Sequence, residues 1–168
     1  MPNTAATISG TLIDRSRGQP GLGAPSSREI MTAFAPWPDF IMGFTGWSRV
    51  EPGTLTLERC EPPPGRALEH VSELSVEPPN LLDDFRPEYA QFLRSRRGLR
   101  RYYGALVRAR DRDAVAVVSQ QERPATPSRL EVYSNVRLRD VLILTTGDTV
   151  QVDLFAADVW RGHFADGA

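Results

Sequence analysis

The chain has 168 residues, of which 40% are apolar and 24% are charged, and its formal net charge at pH 7 is −1. A chain of this length can bury a core without staples, and the composition is typical of one folded domain over residues 1–168. The near-neutral charge argues against a broad surface for nucleic acid or anionic membranes. No apolar run reaches the length of a membrane span and the N-terminus lacks a signal-peptide pattern, so we expect a cytoplasmic protein.

The reactive side chains are few. All 20 basic residues are arginine, which excludes chemistry that needs lysine, such as Schiff-base formation or a P-loop phosphate ligand. One cysteine and two histidines exclude an intramolecular disulfide and argue against a zinc or histidine-rich metal site. A bound phosphate group would therefore have to be held by arginines, main-chain N–H groups or a metal ion.

Alternation of polar and apolar residues predicts short strands along the whole chain. Clear strands are predicted at 7–13, 53–59, 102–109, 114–119, 130–133 and 149–155. Two further stretches are compatible with strands: 28–35, which could also form a short capped helix, and 67–76. The total of six or seven strands predicts a mostly β protein, with a small closed sheet or barrel as its architecture.

Helical spacing of apolar residues predicts one firm helix over 87–97, with a proline in its first turn and Gly98 as its stop. A single helical turn is predicted over 136–142, and the tail 161–168 is predicted to be frayed. The stretch 35–47 is rich in proline and aromatic residues, and we assign it no regular element. Its aromatic side chains could pack in a core or against an apolar ligand.

The loop 15–27 follows the first strand and contains Gly21, Leu22 and Gly23. Glycines allow main-chain N–H groups to approach a phosphate. The loop lacks the Gly-Lys-Ser/Thr of a P-loop and is not a dinucleotide fingerprint. An ordinary surface loop is therefore the alternative interpretation.

Five arginines and two tyrosines lie within 94–103. Arginines can clamp phosphates and tyrosines can stack on bases, but a run of cations also suits a solvated helix end. Glu131 alternates with apolar residues in its strand, so it is a candidate acceptor or base if its face lines a cleft. Cys60 has no partner for nucleophilic chemistry in the sequence and is interpreted as inert.

The order of these segments resembles the archaeal-type CTP-dependent riboflavin kinases. That family carries a Gly-rich loop, a Pro-Gly-Thr-Leu-Asn motif and a C-terminal Leu-Glu run that ends in a Gly-Asp turn and a strand. The chain matches at its G-L-G loop, at P-G-T-L (52–55) and most specifically over 130–154. The resemblance implies a six-stranded cradle-loop barrel, in which the helix of about 80–98 is an insertion.

The resemblance also implies an activity: transfer of the γ-phosphoryl group of CTP to riboflavin, or to a related small alcohol, assisted by Mg²⁺. Thr54 and Thr56 would be the metal ligands, and Glu131 would face the hydroxyl of the acceptor. The nucleotide would be held by two segments, Gly21, Leu22 and Gly23 in the loop and Val136, Arg137, Leu138 and Arg139 after the Leu-Glu run.

Two departures from the family pattern affect the predicted site. Thr56 stands where the family has asparagine, and a hydroxyl is a shorter metal ligand than an amide oxygen. Pro124 stands near a threonine that contacts flavin in the family, for which Thr126 could substitute. A binding module without turnover, for a nucleotide or a flavin, is therefore an alternative function, and a DNA-binding barrel is a weaker one that rests on the arginine run.

Overall fold

The computed structural model describes residues 1–14, 36–52, 55–78, 99–124 and 126–165. The predicted loop at 15–27, strand at 28–35 and helix at 87–97 lie outside these ranges. The strands are β1 (Ala6–Ile13), β2 (Leu55–Glu61), β3 (Ser75–Val76), β4 (Arg100–Ala109), β5 (Arg112–Gln121), β6 (Leu130–Tyr133) and β7 (Thr149–Phe155). The helices are α1 (Pro36–Thr45), α2 (Pro64–Leu68), α3 (Leu138–Val141) and α4 (Ala157–Phe164).

Six of the strands close into an antiparallel barrel. The neighbours in the ring are β4, β5, β6, β2, β1 and β7, and pairing of β7 with β4 closes it. The short strand β3 lies outside the ring and pairs with the start of β4. The predicted fold class, a mostly β chain with a small six-stranded barrel, is confirmed.

The interior of the barrel is filled by aliphatic side chains, because each strand alternates between an inward and an outward face. On β7, for example, Val150, Val152 and Leu154 all point inward and are fully buried. Tyr103 on β4 is the one aromatic side chain among the buried residues of this described interior cluster.

A second apolar layer lies on the outside of the barrel, against β4 to β7, and it is mainly aromatic. The helices α1 and α4 supply much of it. Its buried members are Trp37, Ile41, Trp47, Val50, Leu74, Tyr102, Leu106, Val117, Tyr133, Phe155, Ala157 and Trp160. The aromatic stretch 35–47 therefore forms a helix that packs on the barrel, where the sequence indicated no regular element.

The prediction of a strand over 67–76 is wrong. Residues 64–68 form α2, which begins with Pro64 at a position that tolerates a missing N–H. Leu68, Val71 and Leu74 are all buried at a spacing of three, which the two-residue period of a strand does not give. Only Ser75–Val76 pairs as a strand.

The prediction of a frayed tail is also wrong over the part that the structure describes. Residues 157–164 form α4, and Trp160 is fully buried against the outer face of the barrel. The predicted turn at 136–142 is confirmed as α3. None of the helices in the described ranges is long and apolar enough to span a membrane.

Candidate functional site

A row of polar side chains crosses the outer face of the barrel from β2 to β4. The Cα atoms of Thr56 and Glu131 are direct partners, Glu131 pairs with Ser119, and Ser119 pairs with Tyr102. Directly opposed residues of antiparallel strands project on the same face. The register therefore brings the predicted metal ligand Thr56 beside the predicted catalytic carboxylate Glu131, although the two lie far apart in sequence.

Thr56 is buried, with 3% of its surface exposed. The other predicted metal ligand, Thr54, lies outside the described residues. Within the described ranges no group of three or more histidine, cysteine, aspartate or glutamate side chains could hold a metal ion. Of the two metal ligands predicted from the sequence, the described residues therefore include only Thr56.

The carboxylate of Glu131 is held by two donors. Arg100 Nη1 donates to Glu131 Oε2 over 3.0 Å, and the hydroxyl of Tyr133 donates to the same oxygen over 3.0 Å. Arg100 Nη1 also donates to the hydroxyl of Ser119 over 2.8 Å. Glu131 is consequently oriented by a fixed guanidinium and a fixed phenol.

Arg100 is itself buried, since only 10% of its side chain is exposed. Burial lowers the pKa of the guanidinium, but Glu131 chiefly, together with the Tyr133 and Tyr102 hydroxyls and Glu77, raises it by more, so the net pKa lies above its usual value. Its Cζ atom lies 5.7 Å from the ring centroid of Trp37, a cation–π distance. Arg100 therefore carries its charge permanently.

A second chain of hydrogen bonds lies beside the first. Trp37 Nε1 donates to the hydroxyl of Tyr102 over 2.7 Å, and that hydroxyl donates to Glu77 Oε1 over 2.9 Å. Burial, the nearby Tyr133 hydroxyl and Glu77 raise the pKa of Tyr102 well above its usual value. Tyr102 is thus a neutral hydrogen-bonding link between α1 and the segment after β3.

The Glu131 carboxylate opens onto a small cleft of about 110 Å³. The cleft lies between the start of β4, the end of β5, the start of β6 and three residues of the connection between β5 and β6, Pro124, Thr126 and Arg129. Its lining residues are Arg100, Ser119, Gln120, Gln121, Pro124, Thr126, Arg129 and Glu131. Thr126 and Pro124, which the sequence associates with the acceptor, therefore share this cleft with Glu131.

A larger cleft of about 390 Å³ adjoins the small one at Gln120, Gln121 and Pro124. Its floor includes Leu68, Val71 and Tyr103, which belong to the interior cluster at this end of the barrel. The cleft also carries three glutamates and one arginine, Glu69, Glu73, Glu122 and Arg101, so the charge of its lining is negative. Cleft mouths of barrels are common positions for small ligands.

The predicted nucleotide segment 136–139 lies at the other end of the barrel. Arg139 Nη2 is 3.5 Å from the carbonyl oxygen of Ile13, and Ile13 is the Cα partner of Thr56. The end of β1, the start of β2 and this segment therefore meet. The predicted phosphate loop follows this end of β1 in the chain, but Gly21, Leu22 and Gly23 lie outside the described residues.

Members of the segment 136–139 differ in what they can offer a ligand. Leu138 is buried in the barrel core and Val136 packs against that core, so a nucleotide can reach little more than their main chain. Arg137 is exposed, and its Nη1 lies 3.6 Å from Asp140 Oδ2. The arginines, rather than the apolar residues, are available to a phosphate.

The structure also places two other predicted features. Of the arginine run, Arg100 is buried, and Arg101 forms an exposed pair with Glu73 at 3.1 Å; the remaining arginines of the run lie outside the described residues. Cys60 is buried, and burial together with Glu58 and Glu61 raises its thiol pKa to about 11. A protonated, buried thiol is a poor nucleophile, as the sequence indicated.

Sequence reasoning missed Arg100 as a site residue because it lies in a run that is typical of a solvated surface. The one available signal was the alternation of two predicted strands, which could have paired Arg100 with a carboxylate had the register been known.

Comparison with protein-family models finds no match, and comparison with curated proteins finds none either. The resemblance to the riboflavin kinases stays a prediction.

Proposed function

We propose that the protein is a CTP-dependent phosphotransferase that phosphorylates riboflavin or a related small alcohol. The observation that carries the proposal is the cross-strand pairing of Thr56 with Glu131 on a closed six-stranded barrel. The family resemblance selected these two residues from separate segments, and it required them to meet at one site of phosphoryl transfer. Their adjacency is what a shared phosphoryl-transfer site needs.

The donor set around Thr56 is compatible with Mg²⁺, because a hydroxyl beside a carboxylate offers oxygen ligands only. Mg²⁺ is commonly bound through few protein ligands and mainly through substrate phosphates. Thr56, with Thr54, would contribute hydroxyl oxygens, and the phosphates of CTP would supply most of the remaining coordination. When bound, the ion neutralises charge on the phosphate oxygens.

Glu131 would accept a hydrogen bond from the acceptor hydroxyl and orient it. The ion pair with Arg100 keeps the carboxylate in one place, and phosphoryl transfer depends more on positioning and charge neutralisation than on a strong base. The absence of lysine from the sequence is compatible with this chemistry, since arginines and main-chain N–H groups can provide the positive charge.

The test is incubation of the protein with CTP, Mg²⁺ and riboflavin, with FMN and CDP followed chromatographically. Thr56→Val removes one metal-binding hydroxyl at nearly constant shape and should lower kcat/KM by about 10-fold to 100-fold. Thr56→Asn restores the family residue and should preserve or raise activity. Thr149→Val, an exposed threonine on β7, is the matched control and should leave activity unchanged.

Failure of the wild-type protein to phosphorylate riboflavin or any small alcohol with any nucleoside triphosphate would refute the proposal. Equal activities for the Thr56→Val variant and the wild-type protein would refute the role of Thr56 and leave the activity itself standing.

A second candidate is a binding module for a nucleotide or flavin that performs no transfer. The observation that favours it is the engagement of Glu131 Oε2 by both Arg100 and Tyr133, which opposes proton abstraction at that oxygen. Calorimetry separates the two functions. Binding of CDP or FMN without turnover of CTP and riboflavin would select the binding module.

A further inference from the structure

We propose that the 110 Å³ cleft is a binding site for a phosphate group, with Arg100 and Arg129 as its cationic ligands. The site rests on its own geometry. Identification of the bound group as the phosphoryl group received by the acceptor rests on the proposed function. The shared chemistry is a tetrahedral oxyanion, carried either by a phosphate monoester or by free phosphate.

Arg100 lines this cleft, and not all of its donors have an acceptor among the described residues. A guanidinium carries several N–H groups, but both hydrogen bonds that Arg100 makes to described residues leave from Nη1. Its Nε is buried, and no described residue accepts from it. A buried donor without an acceptor is destabilising, and a bound anion that draws the guanidinium into a bidentate contact relieves this cost.

Arg129 also lines the cleft and is held in place by Glu58. Both Nε and Nη2 of Arg129 donate to Glu58 Oε1, which leaves Nη1 for a second acceptor. The hydroxyls of Ser119 and Thr126 also line the cleft and can donate to an oxyanion. The lining itself holds two guanidinium groups and one carboxylate, that of Glu131, while Glu58, the partner of Arg129, lies outside the lining.

The volume of the small cleft and the charges of the two clefts determine which chemical group can bind. A volume of about 110 Å³ is far below the roughly 300 Å³ of a typical small-molecule pocket, so the cleft suits a compact group rather than a ring system. The adjoining larger cleft is lined by three glutamates and one arginine, so it repels an anion. A phosphate group that approaches this end of the barrel is therefore directed to the small cleft.

Glu131 competes with a bound phosphate for Arg100, since its carboxylate already accepts from Nη1. Because of this competition, we expect substitutions of the two partners of one ion pair to change phosphate affinity in opposite directions. Glu131→Gln removes the competing negative charge and should tighten phosphate binding several-fold. Arg100→Gln removes the main ligand and should weaken phosphate binding by 10-fold or more.

The experiment measures binding of inorganic phosphate, and separately of FMN, to the full chain without CTP or metal, by isothermal titration calorimetry. The matched control is Arg101→Gln, which removes the same charge from the neighbouring residue. Arg101 is exposed, pairs with Glu73 and does not line the small cleft. We expect this control variant to bind phosphate as the wild-type protein does.

Folding of the variants is checked by circular dichroism. Where Arg100→Gln does not fold because Glu131 has lost its ion pair, Arg100→Gln/Glu131→Gln and Arg129→Gln replace it, and each should lose binding. Unchanged phosphate affinity in the Arg100 and Arg129 variants, or equal loss in the Arg101 control, would overturn the site.

The two proposals fail separately. Phosphate binding that depends on Arg100 and Arg129, in a protein that phosphorylates neither riboflavin nor any other small alcohol, supports the site and refutes the kinase. Formation of FMN by a wild-type protein that binds neither phosphate nor FMN at this cleft refutes the site and supports the kinase. Binding of inorganic phosphate but not of FMN supports the site and assigns it to free phosphate.

Discussion

Which residue type fits a given position in this protein depends on neighbours that are distant in sequence. Gly104 on β4 illustrates this, because it pairs with Phe155 on one side and with Val117 on the other, both in the outer aromatic layer. A Cβ atom at Gly104 would lie 2.2 Å from Trp160 Cγ. The indole ring occupies the space that any side chain at this position would need.

We therefore expect Gly104→Ala to destabilise the fold by about 1–3 kcal/mol or more, because the extra methyl group displaces Trp160 from the barrel. Urea unfolding followed by circular dichroism measures the change. Gly65→Ala is the control, since a Cβ atom there meets nothing within 4 Å, and its stability should stay close to that of the wild-type protein. Equal stabilities for both variants would contradict the packing described for Gly104.

Helices on the outer face owe their existence to tertiary packing more than to local propensity. The helix α1 begins with Pro-Trp-Pro, which is typical of a loop, yet proline is tolerated in a first turn. Its aromatic residues dock on β4 and β6, as in the edge contact between Phe40 and Tyr102 at 5.6 Å. The helix α4 was missed because Gly162 interrupts it, although Ala157, Trp160 and Phe164 have helical spacing.

Docking of α4 should contribute strongly to stability, since Trp160 is fully buried and its Nε1 donates to the Ala105 carbonyl oxygen over 3.3 Å. Trp160→Ala should lower the free energy of unfolding by about 3–5 kcal/mol. Chemical denaturation measures the free energy of unfolding. His163→Ala, at an exposed position, is the control, and its free energy of unfolding should lie within about 0.5 kcal/mol of that of the wild-type protein. A loss below about 1 kcal/mol for Trp160→Ala would show that α4 is dispensable.

At the scale of the whole molecule, the strand pattern was predictable and the site was predictable only in part. Alternation identified β1, β2, β4, β5, β6 and β7, because half-buried strands impose a two-residue period. The register could not be derived, since it depends on closure of the ring between distant strands. The pairing of Arg100 with Glu131 follows from that register, so alternation alone could not identify it.

A buried thiol and a buried phenol, those of Cys60 and Tyr102, should make the stability of the whole fold sensitive to high pH. The pKa of Cys60 rises to about 11 on folding, and the pKa of Tyr102 is also raised. An unfolded thiol ionises near about 8.5 and an unfolded phenol near about 10. Because both folded groups favour the neutral form, the stabilising contribution of Cys60 is complete below pH about 8 and is lost as pH rises through about 11. The contribution of Tyr102 is complete below the unfolded phenol pKa of about 10 and is lost at higher pH.

Thermal unfolding between pH 7 and pH 11 measures this dependence, and Tm should begin to fall near pH about 8.5 to 9. Cys60→Ala removes the thiol, so its Tm should stay level until the tyrosines ionise near pH about 10. A wild-type Tm that stays constant up to pH 11, or a variant with an identical pH profile, would contradict these folded-state pKa values.

The division of the molecule into an aliphatic interior and an aromatic exterior has an optical consequence. All three tryptophans, Trp37, Trp47 and Trp160, belong to the outer layer. Tryptophan emission therefore reports whether the outer layer is packed, because none of the three tryptophans lies in the barrel interior. Trp37 also lies against Arg100, so any ligand that moves this guanidinium changes the environment of an indole ring. The protein thus carries its own fluorescent indicator beside the cleft, and no label needs to be attached.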